Sequence, residues 1–426
     1  MHIEKAELEI QREPFVRPFA FKGASFREKW NLVVRLEDEN GQRAYGVGGL
    51  AVLWSDPRVF AQHSEVGGNA LMVAMLERGL SLVRGRSFAS PQALFYEVLP
   101  AVYEYGRVVT GQDDLRQTFA LNALVALDNA AWMLGARGEN IREFAQLLPA
   151  RYRPLFAHKQ ERIAAVPAVG YNMSAAEVEA LVEGGAYVLK IKIGHPGAPE
   201  EMLARDIEWL ERLHTLVRDG RTSMTDSGRV LYYLDANGRY ADSDSLRRLV
   251  DHLEKIGARE RVVLLEEPFV EELEGYWGDM GVPLAADESV HSVDDVAKRV
   301  EQGYTAMAVK AAGKTLSLAL DLVEKARDGG LCCFVADNAC VPLLVEWNKN
   351  IAARLPAFPG IKGGLMETNG AENYGPAWER MLGEHPCSGA DWLRPRGGAF
   401  CLGAEFYAQS GGVFAPPEPF TRLFVN

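Results

Sequence analysis

Lys190 and Lys192 stand two residues apart in the run Val188-Leu189-Lys190-Ile191-Lys192-Ile193, an apolar, β-branched alternation that reads as a strand. A period of two puts Val188, Lys190 and Lys192 on one face and Leu189, Ile191 and Ile193 on the other. If helices cover the apolar face, two ammonium groups point into an interior, which is costly unless acids surround them. Acids follow in Leu234-Asp235-Ala236-Asn237, Leu265-Glu266-Glu267-Pro268 and Ala286-Asp287-Glu288-Ser289, and a further lysine, Lys310, ends another apolar run. Neighbours on a strand face opposite ways, so at most one of Glu266 and Glu267, and one of Asp287 and Glu288, points inward. Oxygen-only ligands of this kind suit a hard divalent cation, Mg²⁺ ahead of a transition metal. An ammonium beside a cation and other lysines has its neutral form favoured, which suits a base. Such a set can take a proton from a carbon beside a carboxylate and return one to the opposite face. The metal would hold the doubly charged intermediate between the two transfers.

Bringing these groups together requires a particular order of elements. From about residue 164, short apolar strands alternate with helical patterns. The strands are expected at 164–169, 187–193, 230–234, 261–265, 283–286, 306–310, 332–336 and, more weakly, 360–365. Helices are expected at 175–183, 200–217, 243–256, 293–302 and 316–326. Eight strands at about 30 residues per unit is the arithmetic of a (β/α)8 barrel. The rival, a doubly wound sheet, lacks a G-x-G-x-x-G after its first strand. In a barrel all strand C-termini share one face, and strands two and six oppose each other, so Lys190/Lys192 and Lys310 flank the acids from two sides. The first part, with strands, an Asn40-Gly41 hairpin turn and then helices, reads as an α+β unit. Two loops are expected there, Pro14–Trp30 with its four phenylalanines and Gly46–Asp56 with its glycines.

These residues resemble the enolase superfamily, specifically the mandelate racemase/muconate lactonizing enzyme family and its muconate lactonizing branch. The resemblance rests on Lys190-x-Lys192, Asp235-x-Asn237, Glu266-Glu267-Pro268, Asp287-Glu288-Ser289 and Lys310, in this order over about 120 residues. It implies that Asp235, Glu266 and Asp287 bind one Mg²⁺ per subunit, supported by Asn237 and Glu288. It implies that Lys192 and Lys310 are the acid/base pair, with Lys190 assisting electrostatically, as a Lys base with Mg²⁺ does in this superfamily. It further implies an α+β cap over residues 1–140 with the two loops covering substrate, a barrel over 141–390, and a C-terminal segment, 391–426, packing back on the cap. Substrate contacts are expected from Phe21 and Lys22 in the first loop, where Arg27 is also a candidate, and from Asn338, Glu367 and Asn369 on the seventh and eighth strands. The activity expected is that of a racemase, epimerase or cycloisomerase acting through an enolate, or, as alternatives, an acid-sugar dehydratase, a dipeptide epimerase or a Schiff-base lysine aldolase.

The pattern departs from the family in places. The seventh strand ends Phe334-Val335-Ala336-Asp337-Asn338-Ala339-Cys340 without the His that sugar-acid dehydratases carry. The eighth has Glu367-Thr368-Asn369 where dipeptide epimerases carry Asp-x-Asp, and Ala311-Ala312-Gly313-Lys314-Thr315 replaces the usual glycine pair. Extra sequence lies around 86–112 and 369–398. His195 and His291 follow strands within loops and read as loop structure, and Cys332 and Cys333 read as packing residues.

A chain of 426 residues allows two structural parts. A formal net charge of −12 argues against nucleic acid or an anionic membrane as partner. No C-x-x-C pair occurs among the 5 cysteines. No signal peptide is expected at the start, and no apolar run is expected to reach the length of a membrane span. The expectation is a cytoplasmic enzyme of small-molecule carboxylates, a homo-oligomer by its resemblance.

Overall fold

The computed structural model describes residues 1–21 and 24–424. The first part is an antiparallel sheet of Lys5–Phe21, Ala24–Glu37 and Arg43–Gly49 in that order, covered by helices Pro57–Val83, Pro91–Thr110 and Gln117–Gly138. The segment expected as an aromatic loop at Pro14–Trp30 is mostly strand. Pairing runs from Lys5↔Glu37 to Pro14↔Glu28, breaks, and resumes at Phe19↔Phe26. Pro14 and Pro18 look like breakers, but Lys5–Phe21 is an edge strand, where a missing N–H costs no ladder bond. The hairpin carries Phe15 to within 5.3 Å of the Tyr374 ring, beyond the eighth barrel strand.

The second expected loop is also ordered. Gly46 lies in a strand, and a Cβ there would sit 2.2 Å from Ala126 O and Ala130 N. The glycine serves close packing of helix Gln117–Gly138 on the sheet rather than flexibility. Asn122 and Asn129 then satisfy the backbone from that helix, donating to Gly49 O and Val47 O. The chain continues into a short buried helix, Val52–Ser55.

Helices Pro57–Val83 and Gln117–Gly138 do have the length and hydropathy of a membrane-crossing helix, against expectation. The apolar stretch of the second is 94% buried inside the fold, so it is a core helix.

The barrel is as expected. Strands Val188–Lys192, Leu231–Asp235, Val262–Glu266, Leu284–Ala286, Ala306–Val309, Cys332–Val335 and Gly364–Glu367 pair in parallel and in order. The first strand is split at Pro167 into Arg162–Val166, which pairs with the eighth, and Ala168–Val169, which pairs with the second, so the ring closes. A short antiparallel strand, Ala399–Cys401, adds to the first. The eighth strand starts later than expected because Gly360 and Gly363 take positive φ, 80° and 145°. Helix Pro342–Ala352, between strands seven and eight, was not expected. Each of its residues is buried, the polar Glu346, Asn348, Lys349 and Asn350 included, so it has no solvent face set against an apolar one. Between strands four and five the chain has no helix.

Alternation along the strands sorts the two sides cleanly. Leu189, Ile191, Leu234, Leu265 and Met307 join the core under the helices. Val188, Leu231, Tyr233, Leu264, Ala285, Ala306, Ala308 and Phe334 fill the barrel interior. On the same parity, the inward positions at the C-terminal ends are the charged ones.

Candidate active site

Lys190 sits at the centre of the charged layer. Its Nζ lies 2.9 Å from Asp235 Oδ2, 2.6 Å from Glu266 Oε2 and 2.9 Å from Glu367 Oε2, and donates to Tyr233 OH at 3.0 Å. Burial alone would lower its pKa, yet the three carboxylates outweigh it and hold it well above the lysine range. Lys192, two residues on, reaches Asp235 Oδ2 at 2.5 Å and Asn237 Oδ1 at 2.9 Å. Asn237 in turn donates to Glu288 Oε1 at 2.9 Å, so it links Lys192 to the fifth strand's end.

On the opposite wall Lys310 is ion-paired with Asp287 and lies 4.4 Å from the centre of the Trp54 ring. Lys314, fully buried one helical turn later, donates to Asp287 O at 2.6 Å. Burial works against ionisation of Asp287, but Lys310 and Lys314 draw it below the carboxylate range, and Asp287 holds Lys310 above the lysine range against the same burial. Asp235 is likewise held low, burial being overcome by Lys190 and Lys192. Glu266 behaves oppositely: burial and the Asp235 charge push it well above the usual range. With no cation among them, these acids hold Lys190 and Lys310 above the lysine range, whereas the expectation of a neutral base was for lysines beside a bound cation.

Glu266 points inward and Glu267 does not. Glu267 takes φ 41° and turns its carboxylate onto the backbone of the next strand, accepting from Asp287 N at 2.7 Å and Ser289 N at 3.3 Å. Between the helical turn Ala311–Lys314 and helix Leu316–Asp328, Thr315 takes φ 73°, a region a β-branched residue rarely enters.

The donor set suits a hard cation, and Glu266 Oε1 is a buried acceptor with no hydrogen-bond donor among the described residues. As the side chains stand, Asp235 and Glu266 are paired with Lys190, and Asp287 with Lys310 and Lys314. Among the described residues no group of three or more His, Cys, Asp or Glu is spaced to hold a metal ion.

A small cleft, with a cavity volume of about 40 Å³, opens onto Lys190, Lys192, Asp235, Asn237, Asp287 and Lys310. Its mouth is lined by Phe19, Phe26 and Trp54 from the first part, and by Asp337, Asn338, Glu367 and Asn369 from strands seven and eight. Glu367 is spent on Lys190, on Asp337 N at 3.1 Å and on Asn369 Nδ2 at 3.1 Å. Asn369 Oδ1 accepts from Ala339 N at 3.0 Å. Phe21 ends its strand with a side chain outside the described set, and Lys22 lies outside the described residues. Arg27 is exposed, its N–H bonded to Glu65.

Three residues of this region went unread in the sequence. Lys314 had a signal, its i,i+4 spacing from Lys310 on a helical turn. Trp54 lay inside an expected covering loop. Lys29 lay inside the other, Pro14–Trp30; it is fully buried in the long hairpin and donates to Asn338 O at 2.5 Å and Asn338 Oδ1 at 3.2 Å. Burial brings its pKa down to about 8, with Cys340 and Asp337 offsetting only in part. His195 is loop structure, bonded to buried Asp206 at 2.5 Å, and Asp206 also accepts from Gly194 N and Tyr240 OH. His291 joins the two parts, between Glu271 and Thr118.

No family model matches the sequence, and no curated sequence is similar to it. Solved structures are similar in fold. A mandelate racemase/muconate lactonizing protein from Herpetosiphon aurantiacus matches with a TM-score of 0.64 at 17% identity, covering 94% of this chain and 96% of that one. The chain has the mandelate racemase/muconate lactonizing enzyme fold. An N-succinyl Arg/Lys racemase from Bacillus cereus matches with a TM-score of 0.62 at 15% identity, covering 88% of this chain and 89% of its own. A dipeptide epimerase from Enterococcus faecalis, complexed with Mg and L-Leu-L-Tyr, matches at 0.60 and 17% identity over 85% of this chain and 89% of its own. The mandelate racemase/muconate lactonizing fold is thus one on which racemases and epimerases are built.

Proposed function

We propose that this chain is a divalent-cation-dependent isomerase, a racemase, epimerase or cycloisomerase, acting at the α-carbon of a carboxylate substrate. The observation that supports it is one cleft flanked by Lys192 on the second strand and Lys310 on the sixth, with Asp235, Glu266 and Asp287 on the three strands between. One amine takes the α-proton, the C–H electron pair passes into the enolate, and the opposing ammonium returns a proton to the other face. Mg²⁺ held by Asp235, Glu266 and Asp287 would stabilise the enolate charge and, by competing for the carboxylates, release the lysines from them. Asn237 and Glu288 fix the position of Lys192 by the bonds described above. Lys190 keeps a fixed positive charge beside the acids.

The dehydratase alternative lacks a group on the seventh strand, where the Asp337 carboxylate is spent on the N–H groups of Asn338, Cys340 and Asn369. The dipeptide alternative lacks a free acid for a substrate ammonium, since Glu367 is engaged.

The test is α-proton exchange in deuterated water, followed by proton NMR over a library of acid sugars, amino acids, N-acylamino acids and dipeptides. We expect Mg²⁺-dependent loss of the α-signal for a substrate, abolished by EDTA. Lys192→Ala and Lys310→Ala should each remove exchange for one enantiomer only. Exchange unchanged in both variants overturns the reading, and activity that survives EDTA and is trapped by borohydride assigns the Schiff-base aldolase instead.

A further inference from the structure

A second cleft, sharing no residue with the first, has a cavity volume of about 610 Å³. It lies where residues 42–43 and 133–142 of the first part meet residues 386–387 and 409–415 of the C-terminal stretch. Arg43, Arg137 and Arg142 line it, and among the described residues no carboxylate does. The whole chain carries a formal net charge of −12, so arginines gathered without acids are not its ordinary surface. Arg43 is bonded to Glu37 at 2.7 Å, but Lys5 holds the same carboxylate at 2.6 Å, which leaves one positive charge over the three. Arg137 and Arg142 have no hydrogen bond or ion pair among the described residues.

Arg137 is half-buried, and burial lowers its pKa with only Tyr45 opposing. A basic residue in the last turn of a helix often serves that helix's own carbonyls. Here that work is done by the backbone, since the carbonyls of Gly135, Ala136 and Arg137 accept from the N–H groups of Glu139, Ile141 and Asn140. The helix end carries about half a negative charge, which the arginines exceed. A guanidinium cannot shed its proton to escape burial, so the anion that would offset the cost has to come from outside the described residues.

We propose that this cleft binds an organic phosphate, with Arg137 and Arg142 gripping the phosphate and Met133, Ile141 and Phe414 receiving the body it is attached to. Planar guanidinium forks match phosphate oxygens two at a time. A phosphate monoester at pH 7 carries about 1.5 to 2 negative charges, enough to answer both arginines where one carboxylate would not. The apolar side chains share the same walls, so a phosphate bearing an aryl or alkyl body fills the cleft better than bare phosphate does. The assignment is independent of the isomerase reading, since the two clefts have no residue in common.

Calorimetric titration of the full chain with phenyl phosphate, phenyl sulfate and inorganic phosphate tests it, and amide hydrogen exchange locates the bound probe. Phenyl phosphate should bind saturably, at least about threefold more tightly than either other probe, and should slow exchange in 133–142 and 409–415. Arg137→Gln and Arg142→Gln should each weaken it at least about tenfold, the loss of one charge-assisted hydrogen bond. Arg327→Gln, at an exposed arginine lining a different cavity, should leave it unchanged. Arg142 is exposed, so its variant keeps the test valid should Arg137→Gln fold poorly. No saturable binding, an affinity unmoved in Arg142→Gln, or protection confined to the ends of the barrel strands overturns the site. Phenyl sulfate binding as tightly overturns the choice of a doubly charged anion, and inorganic phosphate doing so overturns the apolar half. A self-associated form lost in Arg142→Gln by sedimentation, with no phosphate binding in wild type, assigns the arginines to a second copy of the chain and overturns the small-molecule site.

Discussion

Glu266 is fully buried, has one oxygen bound by Lys190 and Tyr233, and has the other without a partner among the described residues. An acid in that state is poorly solvated, and its pKa is pushed up because each neighbour of like charge adds to the cost of ionising it. A cation is the partner that would remove the penalty. We therefore expect the melting temperature of the wild-type chain to rise with Mg²⁺ in a saturable way, and that of Glu266→Gln to stay flat. A Glu266→Gln protein that still responds fully, followed by dye-reported melting, would show the ion binding elsewhere. Lys29 presents the complementary case. Its pKa falls from 10.5 to about 8, which corresponds to about 3 kcal/mol of burial cost. Removing the ammonium leaves two Asn338 oxygens without a donor, about 1–3 kcal/mol in the other direction. The two nearly cancel, so Lys29→Met should melt within a few degrees of wild type. The acids and lysines of the strand ends were legible in the sequence because each closes an apolar run of fixed parity. Lys29 and Trp54 were not, because their contacts are made across the seam between two parts of the chain, over which no local period runs.

At the scale of elements, the glycines and prolines carried the misreadings. Pro14 and Pro18 suggested a loop because the sequence does not reveal which strand will be the sheet's edge, where proline is harmless. Gly46 suggested flexibility, whereas the structure uses it as a contact surface. Gly46→Ala forces a methyl group against the backbone of helix Gln117–Gly138, at 2.2 Å, and should cost at least about 3 kcal/mol in denaturant unfolding. The barrel strands were legible to within a few residues because βα units repeat, while helix Pro342–Ala352 was hidden by being buried on all sides. The joint between cap and barrel is also an element-scale feature. Glu271 lies 3.1 Å from Arg116 and accepts from His291 at 2.7 Å, and His291 contacts Thr118. Burial opposes ionisation there, but His291 and Arg116 hold the Glu271 pKa down to about 2. A folded pKa below the unfolded value of 4.5 gives stability that is present above about pH 4.5 and is lost as pH falls toward 2. That loss is at most about 3 kcal/mol. Glu271→Gln should accordingly show a shallower decline of unfolding free energy over that acid window than wild type.

Taken as a whole molecule, the barrel is an apolar plug below and a lattice of charges above. Lys190 binds three carboxylates from the third, fourth and eighth strands, so it ties together much of the ring's circumference. Lys190→Met should destabilise the fold by about 3–5 kcal/mol, the cost of stranding buried acids, unless pH is lowered enough to protonate them. The seam above this lattice is closed by Trp54 lying on Gly313, whose missing side chain leaves the ring only 3.0 Å from where a Cβ would stand, and by Lys29 reaching over to Asn338. Lifting the hairpin would break that bond and uncover a buried cation, so the seam should open to water before the barrel itself gives way. Amide exchange at Lys29 should then quicken at a lower denaturant concentration than exchange in the barrel strands.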